Sequence, residues 1–180
     1  AIGVGMGKLS LPARPDTTRE KQALAAIGQC ELMFMYDKFF SEYNNTVAQV
    51  LLTKYSVDSD HKKENVLNTF DTLLQMGIIP IVNENDTVST YEIEIGDNDT
   101  LSAIVTANVN ADLLVLLSDI DGLYTADPHR NPNAKLISVV DHIDEDIMAL
   151  GGDKGSSLGT GGMRTKLRAA QICTEQGCDM

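Results

Sequence analysis

Short apolar runs alternate with helix-period segments along this chain. Val47-Ala-Gln-Val-Leu-Leu52, Ile78-Ile-Pro-Ile-Val82 and Leu113-Leu-Val-Leu-Leu117 have the length and aliphatic content of buried strands. Pro80 removes a ladder donor and points to a strand end or an irregularity. Between these runs the pattern changes period. Thr17-Thr-Arg-Glu20 predicts a capping box, with the Thr17 hydroxyl taking an orphan backbone N–H and Glu20 reaching back. A long helix to about Phe40 should follow, and its stretch Leu32-Met-Phe-Met-Tyr36 is apolar all round, as expected of a segment covered on more than one side by core or by a partner subunit.

Asp58 to Met76 reads as a second helix, with Val66, Leu67, Phe70, Leu73 and Leu74 on one face and Gly77 as its stop. Leu101 to Asn108 reads as a short helix. A last helix follows Gly162 and carries Met163, Leu167 and Ala170 on one face. Near-continuous apolar strands separated by helices define an α/β class, a mostly parallel open sheet with helices on both faces.

Composition narrows the function. The 180 residues suffice for one domain, and 43% hydrophobic content suffices for a core. Fourteen Lys and Arg against 26 Asp and Glu leave a net charge of −12. That balance argues against nucleic acid and against an anionic membrane surface, since both bind through clustered cations. No apolar run approaches the ~20 residues of a spanning helix, and no signal-like segment opens the chain. Cys30, Cys173 and Cys178 are sparse and lack zinc spacing with His61, His129 or His142, which fits reduced thiols and a cytoplasmic location.

In an open parallel sheet, ligands bind beyond the carboxyl ends of the strands. Asn83-Glu-Asn-Asp-Thr87 follows the second run, Gly96-Asp-Asn-Asp-Thr100 leads into the 101–108 helix, and Ser118-Asp-Ile-Asp-Gly-Leu-Tyr124 follows the third run. Any one of these could be ordinary turn or cap chemistry; three at strand ends point to a site. An EF-hand calcium loop is rejected, because the sixth position counted from Asp119 is Tyr124, where glycine is required. Six of the twelve residues from Gly151 to Gly162 are glycine. Such a run lets backbone N–H groups approach a phosphate at a helix start, although a flexible linker would look similar. Lys166, in the first turns of the following helix, is disfavoured by the dipole and is better explained by an anion that it serves. Gly7-Lys8 ends no Walker loop, since Ile2 and Leu9 stand where Gly and Ser or Thr are needed.

Together these segments resemble the amino acid kinase family. The stretches that carry the resemblance include Lys21-Gln-Ala-Leu-Ala-Ala-Ile-Gly-Gln29, Asn68-Thr-Phe-Asp-Thr-Leu-Leu74, Pro80-Ile-Val-Asn-Glu-Asn-Asp-Thr-Val88 and Gly96-Asp-Asn-Asp-Thr-Leu-Ser-Ala103. Asp119-Ile-Asp-Gly-Leu-Tyr-Thr-Ala-Asp-Pro128 and Leu158-Gly-Thr-Gly-Gly-Met-Arg-Thr-Lys166 complete the set, in order along essentially the whole chain. The last two would also fit relatives acting on aspartate, UMP, carbamate or N-acetylglutamate, whereas the Asn-Glu-Asn-Asp and Gly-Asp-Asn-Asp pair selects glutamate.

The resemblance implies a three-layer sandwich fold. It implies ATP-dependent phosphorylation of the γ-carboxylate of L-glutamate, with Mg²⁺, the first step of proline synthesis. It further implies a homo-oligomer and feedback inhibition by L-proline; the lability of the acyl phosphate product suggests association with a glutamyl phosphate reductase. Carried over by position, Asp86 and Asn98 would hold glutamate, with Asn83 and Asp97 lining the same pocket. Ser118 and Asp119 would meet ATP, as would Thr160, Gly161, Gly162, Met163, Arg164, Thr165 and Lys166. Asp99 would organise the catalytic lysines, and Lys166 would stabilise the transferring phosphoryl group. No residue is assigned to the metal.

Against the family pattern, the chain reads as a partial domain over 1–180, lacking an N-terminal strand with a phosphate-binding Lys and a closing C-terminal strand. By itself it is expected to be at best weakly active. The rival readings are an acetylglutamate or aspartate kinase, and a non-catalytic amino-acid or nucleotide sensor.

Overall fold

The computed structural model describes residues 1–53, 60–88, 97–152 and 162–180. The chain divides into two compact units, Ala1–Ile95 and Gly96–Met180. No helix among the described residues is long and apolar enough to cross a membrane.

The first unit runs α1 (Ile2–Lys8), α2 (Thr18–Ser41), β1 (Val47–Leu52), α3 (Asp60–Gln75) and β2 (Ile79–Glu84). The two strands pair in parallel, with Val47 opposite Ile79 and Leu52 opposite Glu84. A parallel pair needs a crossover, and α3 lies within it. Thr17 caps α2 by accepting from the Glu20 N–H at 3.3 Å. The other half of the expected box differs: the Glu20 carboxylate accepts the Thr17 hydroxyl at 2.6 Å instead of reaching the backbone. Gly77 stops α3 with φ +70, as read from the sequence. Phe70 is buried on the inner face of α3, whereas Leu74, placed on that face by spacing, is 54% exposed at its margin.

The first seven-residue helix was not legible as one. Three glycines in Ile2–Lys8 weaken intrinsic helicity, but they allow α1 to lie directly on α2. A Cβ on Gly5 would stand 2.1 Å from the Leu24 carbonyl oxygen, and one on Gly28 would stand 1.9 Å from that of Ala1. Lys8, in the last turn of α1, bonds Glu31, which raises the lysine pKa. The apolar stretch of α2 is not covered within the described residues: Phe34, Met35, Tyr36 and Phe39 are all exposed.

The second unit contains α4 (Asn98–Asn108), α5 (Glu145–Leu150) and α6 (Met163–Glu175). α4 begins three residues earlier than its apolar pattern suggests, because Asp97 caps it and fixes Asn98 and Asp99 in its first turn. Ala103 on α4 and Ala169 and Cys173 on α6 are fully buried, with Leu114, Leu116 and Ile172 packed against them. Small residues let these two helices approach closely. The expected third strand is not formed. Leu113 makes a single parallel bridge to Asp179, with the Leu114 N–H on the Asp179 carbonyl at 2.8 Å. Leu113, Val115 and Leu117 are 58%, 65% and 94% exposed, so the run keeps strand-like alternation but covers only one face. An isolated bridge supplies too few ladder bonds to extend the pairing.

Candidate active site

A polar constellation joins the starts of α4 and α6 in the second unit. Asp97 holds the α4 N-terminus with both oxygens: Oδ1 accepts the Thr100 N–H at 2.7 Å and Oδ2 the Thr100 hydroxyl at 2.9 Å. That cap sets the adjoining turn, and Asp99 emerges from it. Its carboxylate receives the Lys166 ammonium on both oxygens at 3.1 Å, and the Thr165 hydroxyl on Oδ2 at 2.7 Å. The side chains of Lys166 and Asp99 are 21% and 17% exposed, so the pair is partly withdrawn from water yet reachable.

Thr165 is the hinge of this arrangement. Its oxygen accepts the Gly162 N–H at 3.0 Å, closing the first turn of α6. Its one proton has two acceptors in range, the Gly162 carbonyl at 2.8 Å and Asp99, and the charged one is the stronger. The family resemblance implies a nucleotide contact for Thr165; the structure gives its side chain a bond to Asp99. Lys166 carries three donors, and Asp99 fixes their position without removing the capacity to serve a further anion.

Near the same helix start, Arg164 lines a hollow of about 260 Å³ with Met148, Ala149 and Gly152. Thr160 and Gly161 lie outside the described residues. The N–H groups of Met163 and Arg164 open α6, at the end of a helix suited to anions. Ser118 and Asp119 follow the apolar run as exposed neighbours, the hydroxyl donating to Asp119 Oδ1 at 3.4 Å. Among the described residues no group of three acidic, His or Cys side chains could hold a metal by itself. Mg²⁺ does not require one, since it commonly takes one or two carboxylates together with substrate phosphates and water.

In the first unit, β2 runs two residues further than its apolar core and carries Asn83 and Glu84 at its carboxyl end, both only 9% exposed. The Asn83 Nδ2 donates to the Gln29 Oε1 at 3.0 Å, and the Gln29 Nε2 donates to the Gln49 Oε1 at 3.1 Å. Asp86 sits in the turn that follows β2. Sequence reasoning missed Gln29, 54 positions from Asn83; a buried glutamine on a helix among apolar neighbours was the one available signal.

The parallel strand pair with polar groups at its carboxyl end in the first unit, and the lysine held by a carboxylate at a glycine-led helix start in the second, are each compatible with a phosphotransferase. The chain belongs to the amino acid kinase family, whose profile matches residues 4–180. It is 56% identical over its whole length to a glutamate 5-kinase of Clostridium perfringens, covering 68% of that protein. It is also 56% identical to one of Clostridium acetobutylicum, covering 67%, and 54% identical to one of Carboxydothermus hydrogenoformans, covering 48%. The chain thus spans from just under half to about two thirds of the length of these relatives.

Proposed function

We infer that this protein transfers the γ-phosphoryl group of ATP to the γ-carboxylate of L-glutamate, giving L-glutamyl 5-phosphate, the first step of proline biosynthesis. The observation that carries this reading is the identity of 56% to a named glutamate 5-kinase over 100% of the chain. The Asp99, Thr165 and Lys166 cluster supplies chemistry that suits it.

The acceptor carboxylate, with an ordinary pKa of about 4.3, is already ionised near neutral pH, so no general base is needed. The difficulty is charge, because two anions must meet in a chain of net charge −12. Lys166, oriented by Asp99, meets the charge of the phosphoryl group in flight, and the α6 N–H groups of Met163 and Arg164 add to it. Mg²⁺, when bound with the nucleotide, supplies further neutralisation of phosphate charge. Asp99 acts as an organiser and takes no proton. Catalysis is positioning plus electrostatic stabilisation.

For the substrate the family resemblance supports Asn83, Asp86, Asp97 and Asn98, by their chemistry as acceptors for an ammonium and amide donors for carboxylate. Ser118, Asp119 and the run Thr160 to Lys166, including Gly161 and Gly162, are assigned to ATP. A homo-oligomer belongs to the same reading, supported by the exposed Phe34, Met35 and Phe39 of α2. So do a cytoplasmic location, feedback inhibition by L-proline and transfer of the labile product to a glutamyl phosphate reductase.

The test is hydroxamate formation by the full-length protein with ATP, Mg²⁺ and hydroxylamine, comparing L-glutamate, L-aspartate, N-acetyl-L-glutamate and UMP. Hydroxylamine traps an acyl phosphate but not a phosphate anhydride. Strong signal with L-glutamate alone is expected. Signal with another carboxylate moves the reading to a related kinase, and none from folded, ATP-binding protein points to a sensor.

A further inference from the structure

We propose that Gln29 is a positioning residue for the acceptor substrate, acting through Asn83. The proposal rests on the functional reading above. Its ground is the chain of three amides that runs from Gln49 on β1, through Gln29 on α2, to Asn83 at the carboxyl end of β2. Gln29 is 7% exposed and Asn83 9%, whereas Gln49 lies at the surface. A glutamine at a helix position that could hold a leucine loses hydration and side-chain freedom, and it is retained only if its bonds do something.

Those bonds fix a direction. Gln29 spends its oxygen on Asn83 and an amide hydrogen on Gln49, so it cannot rotate without breaking both contacts. Asn83 in turn commits Nδ2 to Gln29, which turns its carbonyl oxygen away from that contact. A carbonyl oxygen so oriented, at the carboxyl end of a parallel strand, is an acceptor for the ammonium of an amino acid. Without Gln29 the Asn83 amide can flip and present N–H groups to that ammonium. Helix α2 thereby helps select an amino-acid acceptor without touching it.

The experiment measures hydroxamate formation by the full-length protein and its Gln29→Met, Asn83→Ala and doubly substituted variants, varying L-glutamate and ATP in turn. Methionine keeps the volume of glutamine and removes both bonds. Loss of one such bond predicts a rise of about tenfold in KM for L-glutamate, with kcat falling less than about threefold and KM for ATP unchanged. In the double variant Gln29→Met should add nothing to Asn83→Ala, since the one acts through the other. A tenfold penalty that persists in the double variant, or an equal rise in both KM values, overturns the proposal. Should Gln29→Met fail to fold, Gln49→Met removes only the outer anchor; a rise of about threefold in KM for L-glutamate alone supports the proposal, and no change overturns it. If the unaltered protein uses a different carboxylate, the substrate reading fails and the same comparison with that carboxylate still decides the role of Gln29. No hydroxamate with any carboxylate overturns both.

Discussion

Asp99 is the residue that receives both Lys166 and Thr165 in the second unit, and the proposed phosphoryl transfer gives it the part of organiser. Replacing it with Asn keeps the shape but removes the charge that holds Lys166, and a misplaced ammonium costs on the order of 10²-fold in turnover. Asp99→Asn should therefore lower kcat by about that factor and leave ATP binding intact, as steady-state kinetics and nucleotide titration would show. Cys173 makes a different prediction. Burial, with help from Cys178, pushes its thiol up to about 11. The unfolded chain then loses this proton at lower pH than the folded one, so the thiol's contribution is intact below pH 9.0 and is lost as pH rises toward about 11. Denaturation midpoints should fall across that window, and less so in Cys173→Ala. Lys8, raised by its bond to Glu31, acts with the same sign at still higher pH. Legibility at this scale followed sequence distance. Asp99 and Lys166 carry charges that stand out within short motifs. The bonds of Thr165 to Asp99 and of Gln29 to Asn83 cross 66 and 54 positions, and no local pattern encodes them.

At the scale of elements, periodicity served where one face is buried and failed where context decides. α2, α3, β1 and β2 were read within a few residues, α2 from its cap at Thr17 and α3 from its stop at Gly77, although the apolar stretch of α2 and Leu74 of α3 are exposed. α1 escaped, since its glycines argue against a helix in isolation and only the approach to α2 explains them. The Leu113–Leu117 run was over-read: an apolar composition gives strand propensity, but a strand needs a partner along its length. The glycines permit a sharp comparison. Alanine is favoured over glycine in a helix by about 1 kcal/mol, yet overpacking against rigid backbone costs about 1–3 kcal/mol or more. Gly28→Ala, whose added carbon would stand 1.9 Å from the Ala1 carbonyl oxygen, should be net destabilising in urea unfolding. Gly3→Ala has nothing within 4 Å of the new carbon and should stabilise by about 0.5–1 kcal/mol.

Across the whole molecule, the acidic balance was readable at once and argues against nucleic acid as a partner, while the division into two units was not. Each unit's core is made of contacts between residues distant in sequence. The surface carries its own prediction. Phe39 on α2 is 54% exposed, one helical turn from Met35 at 43%, an apolar area of the kind that a subunit contact would cover. Phe39→Glu should shift the full-length protein to a smaller species in sedimentation velocity, with the hydroxamate assay reporting whether turnover survives.

The bonds from Lys166 and Thr165 to Asp99 also have a consequence for how the second unit forms. They close a loop of 67 and 66 residues, so an unfolded chain must search a wide volume before the three groups meet. Helices α4 and α6 can nucleate locally long before then. In refolding experiments the helical signal should accordingly recover first and phosphoryl transfer last, and the interval between them would time the closure of that loop.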